Sequence, residues 1–136
     1  VMQVQSSTDP PKKLALGERA LQVDGNEYVA VQQQMAGVPL KIIYATEGTP
    51  LVVGNAAILD NAPHPNAARL FYAFMFSQEA QQLNSDTGGV RSFHPSVVDR
   101  NNRPTLAEIN LLRSDPDELG PRLQEIKTRY EEHFGT

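Results

Sequence analysis

The sequence predicts an α/β fold, with helices packed on a mixed sheet, from three observations. A helical pattern from Asn26 to Met35 is followed at short spacing by the strand-like run Pro39–Ala45. That is the order of a β-α-β unit. A second extended run, Leu51–Leu59, comes next. A strongly apolar helix and a fresh helix start then occupy residues 61–83.

Taken in order, Val1–Lys13 is polar and ends in Asp9-Pro-Pro11. It reads as extended or weakly ordered, because Pro-Pro restricts the backbone before it and cannot continue a helix. Leu14-Ala-Leu16 forms a short helical turn that Gly17 stops. Ala20–Val23 reads as a short strand and Asp24-Gly25 as a turn. Asn26 caps the next helix, whose inner face carries Tyr28, Val31 and Met35 at helical spacing, and Ala36-Gly37 ends it. Pro39–Ala45 is the clearest strand, rich in β-branched residues and bounded by Pro and a turn. Thr46–Pro50 is the loop at its carboxyl end. Gly54 interrupts the extended run that follows, as a bulge or bend would require.

The central stretch starts at Asn61-Ala-Pro-His-Pro. Pro65 suits a first helical position, which makes His64 the N-cap, with Asn66 as the alternative start. Ala67, Leu70, Phe71, Phe74 and Met75 share one face, and Tyr72 and Phe76 make the opposite side apolar too. A helix apolar nearly all round is expected in a core. Ser77-Gln-Glu restarts a helix with a cap and an acid in its first turn. Thr87-Gly-Gly89 is a turn, Arg91–Arg103 an irregular loop, and Thr105–Leu112 a connector. Asp115, Pro116 and Glu118 have the form of a helix start, but Gly120-Pro121 places the continuous terminal helix from Pro121. Its stripe is Leu123, Ile126, Tyr130 and Phe134, with Glu125 and Arg129 paired on the exposed face and Gly135 as the stop.

The 136 residues suffice for one ordinary domain, and 40% apolar content fits a water-exposed globular chain. No window approaches the ~20 apolar residues of a membrane span. Sixteen acids against 12 bases give a net charge of −4. No basic stripe is present, so no nucleic-acid partner is expected. Cysteine is absent, which excludes disulfides and thiolate metal sites. Val1–Gln5 lacks the pattern of a signal peptide.

No motif of an enzyme is present: neither G-x-S-x-G, a phosphate loop, H-E-x-x-H nor G-x-G-x-x-G. No catalytic residue and no cofactor is expected. The three histidines fit no standard zinc spacing. His64 reads as a cap and His94 as a loop residue, and the residues leave a metal undetermined. Glu47-Gly48-Thr49 is a binding candidate on chemistry and position. Ligands of open α/β sheets bind off the carboxyl ends of strands, Gly48 allows close backbone approach, and Glu47 and Thr49 offer an acceptor and a donor. The alternative is an ordinary turn. Arg91, beside Ser92, can receive a carboxylate or phosphate in bidentate fashion, or lie on the surface.

The run Asn61–Gln81 resembles the bacterial extracellular solute-binding proteins of ABC importers, in the group that includes ferric-iron, thiamine, polyamine and phosphorylated-sugar binders. Ala67, Ala68, Phe71, Phe74, Ser77, Glu79 and Gln81 match the pattern A-A-x-x-F-x-x-F-x-x-S then E-x-Q, the strictest version of which has one residue more between Phe74 and Ser77. Gly17-Glu18, Glu47–Pro50 and Arg91–Pro95 extend the likeness over most of the chain. The resemblance implies a two-lobed periplasmic-binding-protein-like fold of about twice this length. This chain would be its C-terminal portion: about 14–50 from one lobe, a hinge near 49–55, a helix pair of the other lobe over about 55–90, and a terminal helix over 115–136.

The resemblance also implies a function. The chain would capture a small-molecule or ion solute by hinge closure and deliver it to the membrane subunits of an ABC importer. Its location would be periplasmic, or extracellular and membrane-associated in a Gram-positive source. Aligned on Gly17-Glu18, Tyr28 falls where ferric-binding members carry the second of two adjacent tyrosines, and Glu27 stands in place of the first. Tyr28 would line the cleft, and Glu27 is the carboxylate beside it; as residues alone, Tyr28 can equally pack on its helix and Glu27 be solvated. Without a second lobe the chain would expose apolar surface and self-associate. The residues by themselves also fit a self-contained interaction module that docks through its C-terminal helix.

Overall fold

The computed structural model describes residues 6, 8–23 and 25–135. The reading of residues 1–5 and 7 as extended, and the Asp24 half of the Asp24-Gly25 turn, lie outside them. The architecture is helix-rich: α1 (Asp9–Ala15), α2 (Glu27–Met35), α3 (Pro65–Met75), α4 (Gln78–Gly88) and α5 (Pro116–Phe134), with a two-stranded parallel sheet of β1 (Thr49–Pro50) and β2 (Leu111–Leu112). This is compatible with a piece of an α/β protein. The chain forms two compact units. Among described residues one gathers 6–43 with 54–103, and the other gathers 44–53 with 104–135.

The first unit holds α1 to α4, with α1 on α2, α2 on α4 and α3 on α4. The prolines expected to keep residues 9–11 extended instead open α1. They occupy the first helical positions, where a missing N–H leaves nothing unsatisfied and the fixed φ is already helical. Pro11 is buried there. Gly17 ends the helix as expected, at φ +75° with its N–H on the Leu14 carbonyl.

The bounds of α2 follow the sequence: Asn26 is the N-cap, though its side chain makes no capping bond, and Gly37 closes the helix at φ +86°. Of the expected inner face, Val31 is buried, and its companion is Val29 rather than Tyr28 or Met35. Val29 and Val31 are 3% and 2% exposed, whereas Tyr28 and Met35 are exposed. Residues two apart point to opposite sides of a helix. A helix with α1 packed on it and α4 packed on it buries two narrow faces rather than one stripe.

Helices α3 and α4 start where the sequence places them, at His64-Pro65 and after Ser77. The Ser77 hydroxyl accepts the Ala80 N–H at 3.3 Å, which caps α4. Ser77→Ala is expected to lower stability by about 1 kcal/mol, read as a shift in urea midpoint at unchanged slope. Gln81 reaches back to donate to the Met75 carbonyl at 2.8 Å, satisfying an end of α3. Gly89 takes the left-handed conformation at φ +66° and closes α4.

The expectation of a core position for α3 is overturned. None of its residues is buried, and Leu70 is 75% exposed. Its rings pair along the helix itself, Phe71 with Phe74 and Tyr72 with Phe76. Apolarity all round shows that a helix needs cover on several sides, and α4 covers only one.

Strand readings fared worse. Ala20–Val23 and Pro39–Ala45 form no ladder. Residues 39–45 do alternate between exposed and half-buried, the period of a strand, but no second strand pairs with them among the described residues. Leu51–Leu59 likewise carries no ladder beyond its start.

The second unit holds the sheet and α5. Thr49 donates its N–H to the Asn110 carbonyl at 2.8 Å and Leu51 to the Leu112 carbonyl at 3.1 Å. Pro50 lies between them on the side that needs no donor, the position a strand tolerates for proline. Ile109, before β2, is buried. Helix α5 starts five residues before the expected Pro121, because the Asp115 carboxylate captures the Asp117 N–H at 2.9 Å. Pro121 sits inside the helix and forfeits one backbone bond. Glu125 pairs with Arg129, as expected, and also with Arg122, and Gly135 stops the helix. Leu119, Leu123, Ile126 and Tyr130 are all exposed along one side of it.

Candidate functional site

The sequence-selected residues fall in both units. Glu27, Tyr28 and Arg91 belong to the helical unit, and Glu47, Gly48 and Thr49 to the unit with the sheet.

Glu27 is the first residue of α2, where a carboxylate complements the helix dipole. Arg91 approaches it in a bidentate pair, Nε to Oε2 and Nη2 to Oε1, both at 2.7 Å. A third donor comes from Arg103, whose Nη1 bonds Glu27 Oε2 at 2.9 Å and the Gly89 carbonyl at 2.8 Å. Arg103 also gives Nε to Asp99 Oδ2 at 2.8 Å. The Arg103 side chain is only 3% exposed, and its Nη2 is buried with no acceptor in reach among the described residues. Two carboxylates and two guanidinia thus cancel in formal charge.

These bonds tie the start of α2 to the segment after α4 across 64 and 76 residues of sequence. Buried charges hold such positions only when paired and hydrogen-bonded. Burial raises the Asp99 carboxyl, but the Asn101 N–H and the Arg103 guanidinium outweigh it and hold the group below its ordinary range.

Tyr28 follows Glu27 in the first turn of α2 and keeps about a third of its surface exposed (37%). The loop carrying Arg91 is pinned along α4. Ser92 donates to Gln81 Oε1 at 2.7 Å, Gln82 makes two bonds to the Val98 backbone, and Arg100 pairs with Asp86 at 2.7 Å. His94 is a loop residue as expected, its Nδ1 accepting the Ser96 N–H. A shallow open groove along α4 is lined by Ser77, Gln78, Glu79, Gln82, Leu83 and Asp86, and none of the binding candidates lines it.

In the other unit, the turn before β1 carries Glu47 and Gly48, and Thr49 opens the strand. Glu47 is fully exposed. Its own backbone N–H, then the Thr46 hydroxyl at 3.2 Å, lower its carboxyl below the ordinary value. Gly48 has φ +139°, and a Cβ there would fall 2.5 Å from the Leu112 side chain. Its missing side chain therefore makes room for β2. The Thr49 hydroxyl is buried and has no hydrogen-bond partner among the described residues. The site was expected off the end of a strand at Pro39–Ala45, but the ladder begins only at Thr49.

Sequence reasoning missed Arg103 and Asp99. Arg103 reaches Glu27 across 76 residues of sequence, which no local spacing marks, whereas its pairing with Asp99 is an i,i+4 spacing that the sequence does offer. No group of residues that could hold a metal ion occurs among the described residues, and no helix among them is long and apolar enough to cross a membrane.

Residues 1–109 match the family model of the bacterial extracellular solute-binding protein. The chain belongs to this family. The match takes in α1 to α4, the Glu27 network and the 46–50 turn, and stops before β2 and α5. No curated protein and no solved structure matches the chain. The role of this solute-binding protein is accordingly extracellular solute capture in transport, a class that is generally non-enzymatic. The motif residues acquire physical meaning in this light: Ser77 caps α4, and Gln81 joins the end of α3 to Ser92.

Proposed function

We propose that this solute-binding protein is the substrate-binding component of an ABC importer and captures a small solute by closure of two lobes around a hinge. The family match carries this reading. In it, the chain contributes the C-terminal portion, with residues 49–55 as the crossing between lobes. Tyr28, with its chain neighbour Glu27 and Arg91, is taken as solute-contacting in the helical unit, and Glu47, Gly48 and Thr49 are candidates in the unit with the sheet. The membrane subunits of the importer are its partners, and the periplasm, or the outer surface of a Gram-positive cell, is its location.

The apolar faces of α3 and α5 support the proposal of a further lobe. Leu70, Phe71, Leu123 and Tyr130 are all exposed, and contiguous apolar faces of this kind are covered in a working protein. Alone, the chain is expected to self-associate through them. Native mass spectrometry of the purified chain, repeated under denaturing conditions, tests both points. The expected spectrum shows dimers or higher species and a bound small mass that leaves on denaturation. A bare monomer across micromolar concentrations would count against the exposed faces as interlobe surface.

A further inference from the structure

We propose that the Glu27–Arg91–Arg103 cluster bars cationic solutes from the α2 wall, so that the solute taken there is uncharged or anionic. The inference rests on the reading of Tyr28 and its neighbours as solute wall, and it names the class of solute that wall admits.

Glu27 is the acid next to Tyr28 at the start of α2. A carboxylate beside a tyrosine is a hard-oxygen pair suited to a ferric ion, and a carboxylate alone suits an ammonium. Glu27 is not available for either. Oε1 accepts from Arg91 and Oε2 accepts from both Arg91 and Arg103, at 2.7–2.9 Å. A cation brought to those oxygens would meet two guanidinia held against the same atoms, and like charges at contact repel. It could not displace Arg103, whose buried side chain has Asp99 and the Gly89 carbonyl as its other partners. Stripping an acceptor from a buried guanidinium is strongly unfavourable.

The second acid in the cluster gives no opening. Asp99 is engaged by Arg103 and by the Asn101 backbone and side chain. Within the cluster the four described charged groups sum to zero, so the cluster itself carries no net negative charge to attract a cation. The spare donor capacity lies on the positive side, at the buried Nη2 of Arg103. Uncharged and anionic solutes meet none of these obstacles at Tyr28.

The test uses the full chain with two cationic probes, ferric nitrilotriacetate and spermidine. Iron binding is read by the phenolate-to-iron absorbance band and spermidine binding by calorimetry. The wild type is expected to show neither. Arg91→Gln, checked for folding by circular dichroism, uncovers one face of Glu27 and is expected to gain at least about tenfold in spermidine affinity, the size of one pK unit of charge interaction. A folded Arg91→Gln with no gain would overturn the proposal. The wild-type titration decides even where that variant fails to fold: iron or spermidine binding that weakens tenfold or more in Glu27→Gln shows a cation accepted at Glu27. Failure of the underlying reading looks different. A co-purified mass retained equally by the wild type and by Tyr28→Phe and Glu27→Gln would remove α2 as solute wall, and the proposal with it.

Discussion

Replacing Glu27 by Gln is expected to lower stability by about 3 kcal/mol, the low end for breaking a buried ion pair by removing one partner. The isosteric amide keeps the volume and a carbonyl oxygen but cannot neutralise Arg91 and Arg103 together. Arg103, 3% exposed, keeps Asp99 and the Gly89 carbonyl, which holds the cost to the low end. Urea unfolding followed by circular dichroism measures it, and a loss under 1 kcal/mol would mean that the cluster is solvated in solution. A double variant adds a sharper check. Glu27→Met with Arg103→Met removes the 27–103 contact from both sides, although Arg91 and Asp99 each lose a partner in it, and the cost of leaving Arg103 charged and unpaired disappears. The double variant should therefore lose less than the sum of its single variants, the difference being the 27–103 coupling.

Acid acts on the same cluster. The Asp99 carboxyl is held below its ordinary value of 3.8, so it binds its proton more readily in the unfolded chain than in the folded one. Its contribution is fully present above the unfolded pKa and disappears as pH falls through the lower folded value. Stability should fall below about pH 4 by a step that Asp99→Asn removes. An unchanged acid limb in that variant would show that Asp99 is not engaged by Arg103.

Gly89→Ala is the second large effect, at about 3 kcal/mol. The residue sits at φ +66°, where an L side chain costs about 1–2 kcal/mol. A Cβ would also fall 2.9 Å from Val31 Cγ1 and 3.0 Å from the Tyr28 carbonyl oxygen. One of those neighbours is backbone and the other is a core valine, so neither yields easily, and overpacking of this kind typically adds about 1–3 kcal/mol. Because the clash wedges α4's end away from α2, near-ultraviolet signals of Tyr28 should change as well. Gly120→Ala, in the exposed part of α5 where a Cβ meets nothing, is the control and should be neutral or stabilising.

What the residues announced, and what they did not, divides along the range of the forces involved. Ser77 marks a helix start by its capping bond, Pro65 by its fixed φ and Gly37 an end by its positive φ, forces that act over three or four residues. Asn26 and His64 hold N-cap positions without a side-chain bond. The same local logic misleads at Pro10-Pro11, which open α1 rather than keep the chain extended, and at Pro121, which lies inside α5 rather than at its start because Asp115 captures the chain earlier. Ladders were illegible. Ile42 and Ile43 have strand character, but a strand exists only where a partner backbone lies alongside, and the pairing partner of Thr49 is 62 residues away in sequence at Leu111. At the candidate site, Glu27, Tyr28 and Arg91 were singled out one at a time. That Arg91 and Arg103 converge on Glu27 depends on tertiary placement, which carries no periodicity.

The proline in β1 has one more consequence. Thr49 and Leu51 spend their N–H groups on β2, and Pro50, whose nitrogen faces the other way, has none to offer. A newcomer strand laid along that outer border would find no donor at its centre. Growth of the sheet is therefore directional: recruitment can proceed beside β2 but is blunted beside β1, a built-in guard against edge-to-edge aggregation.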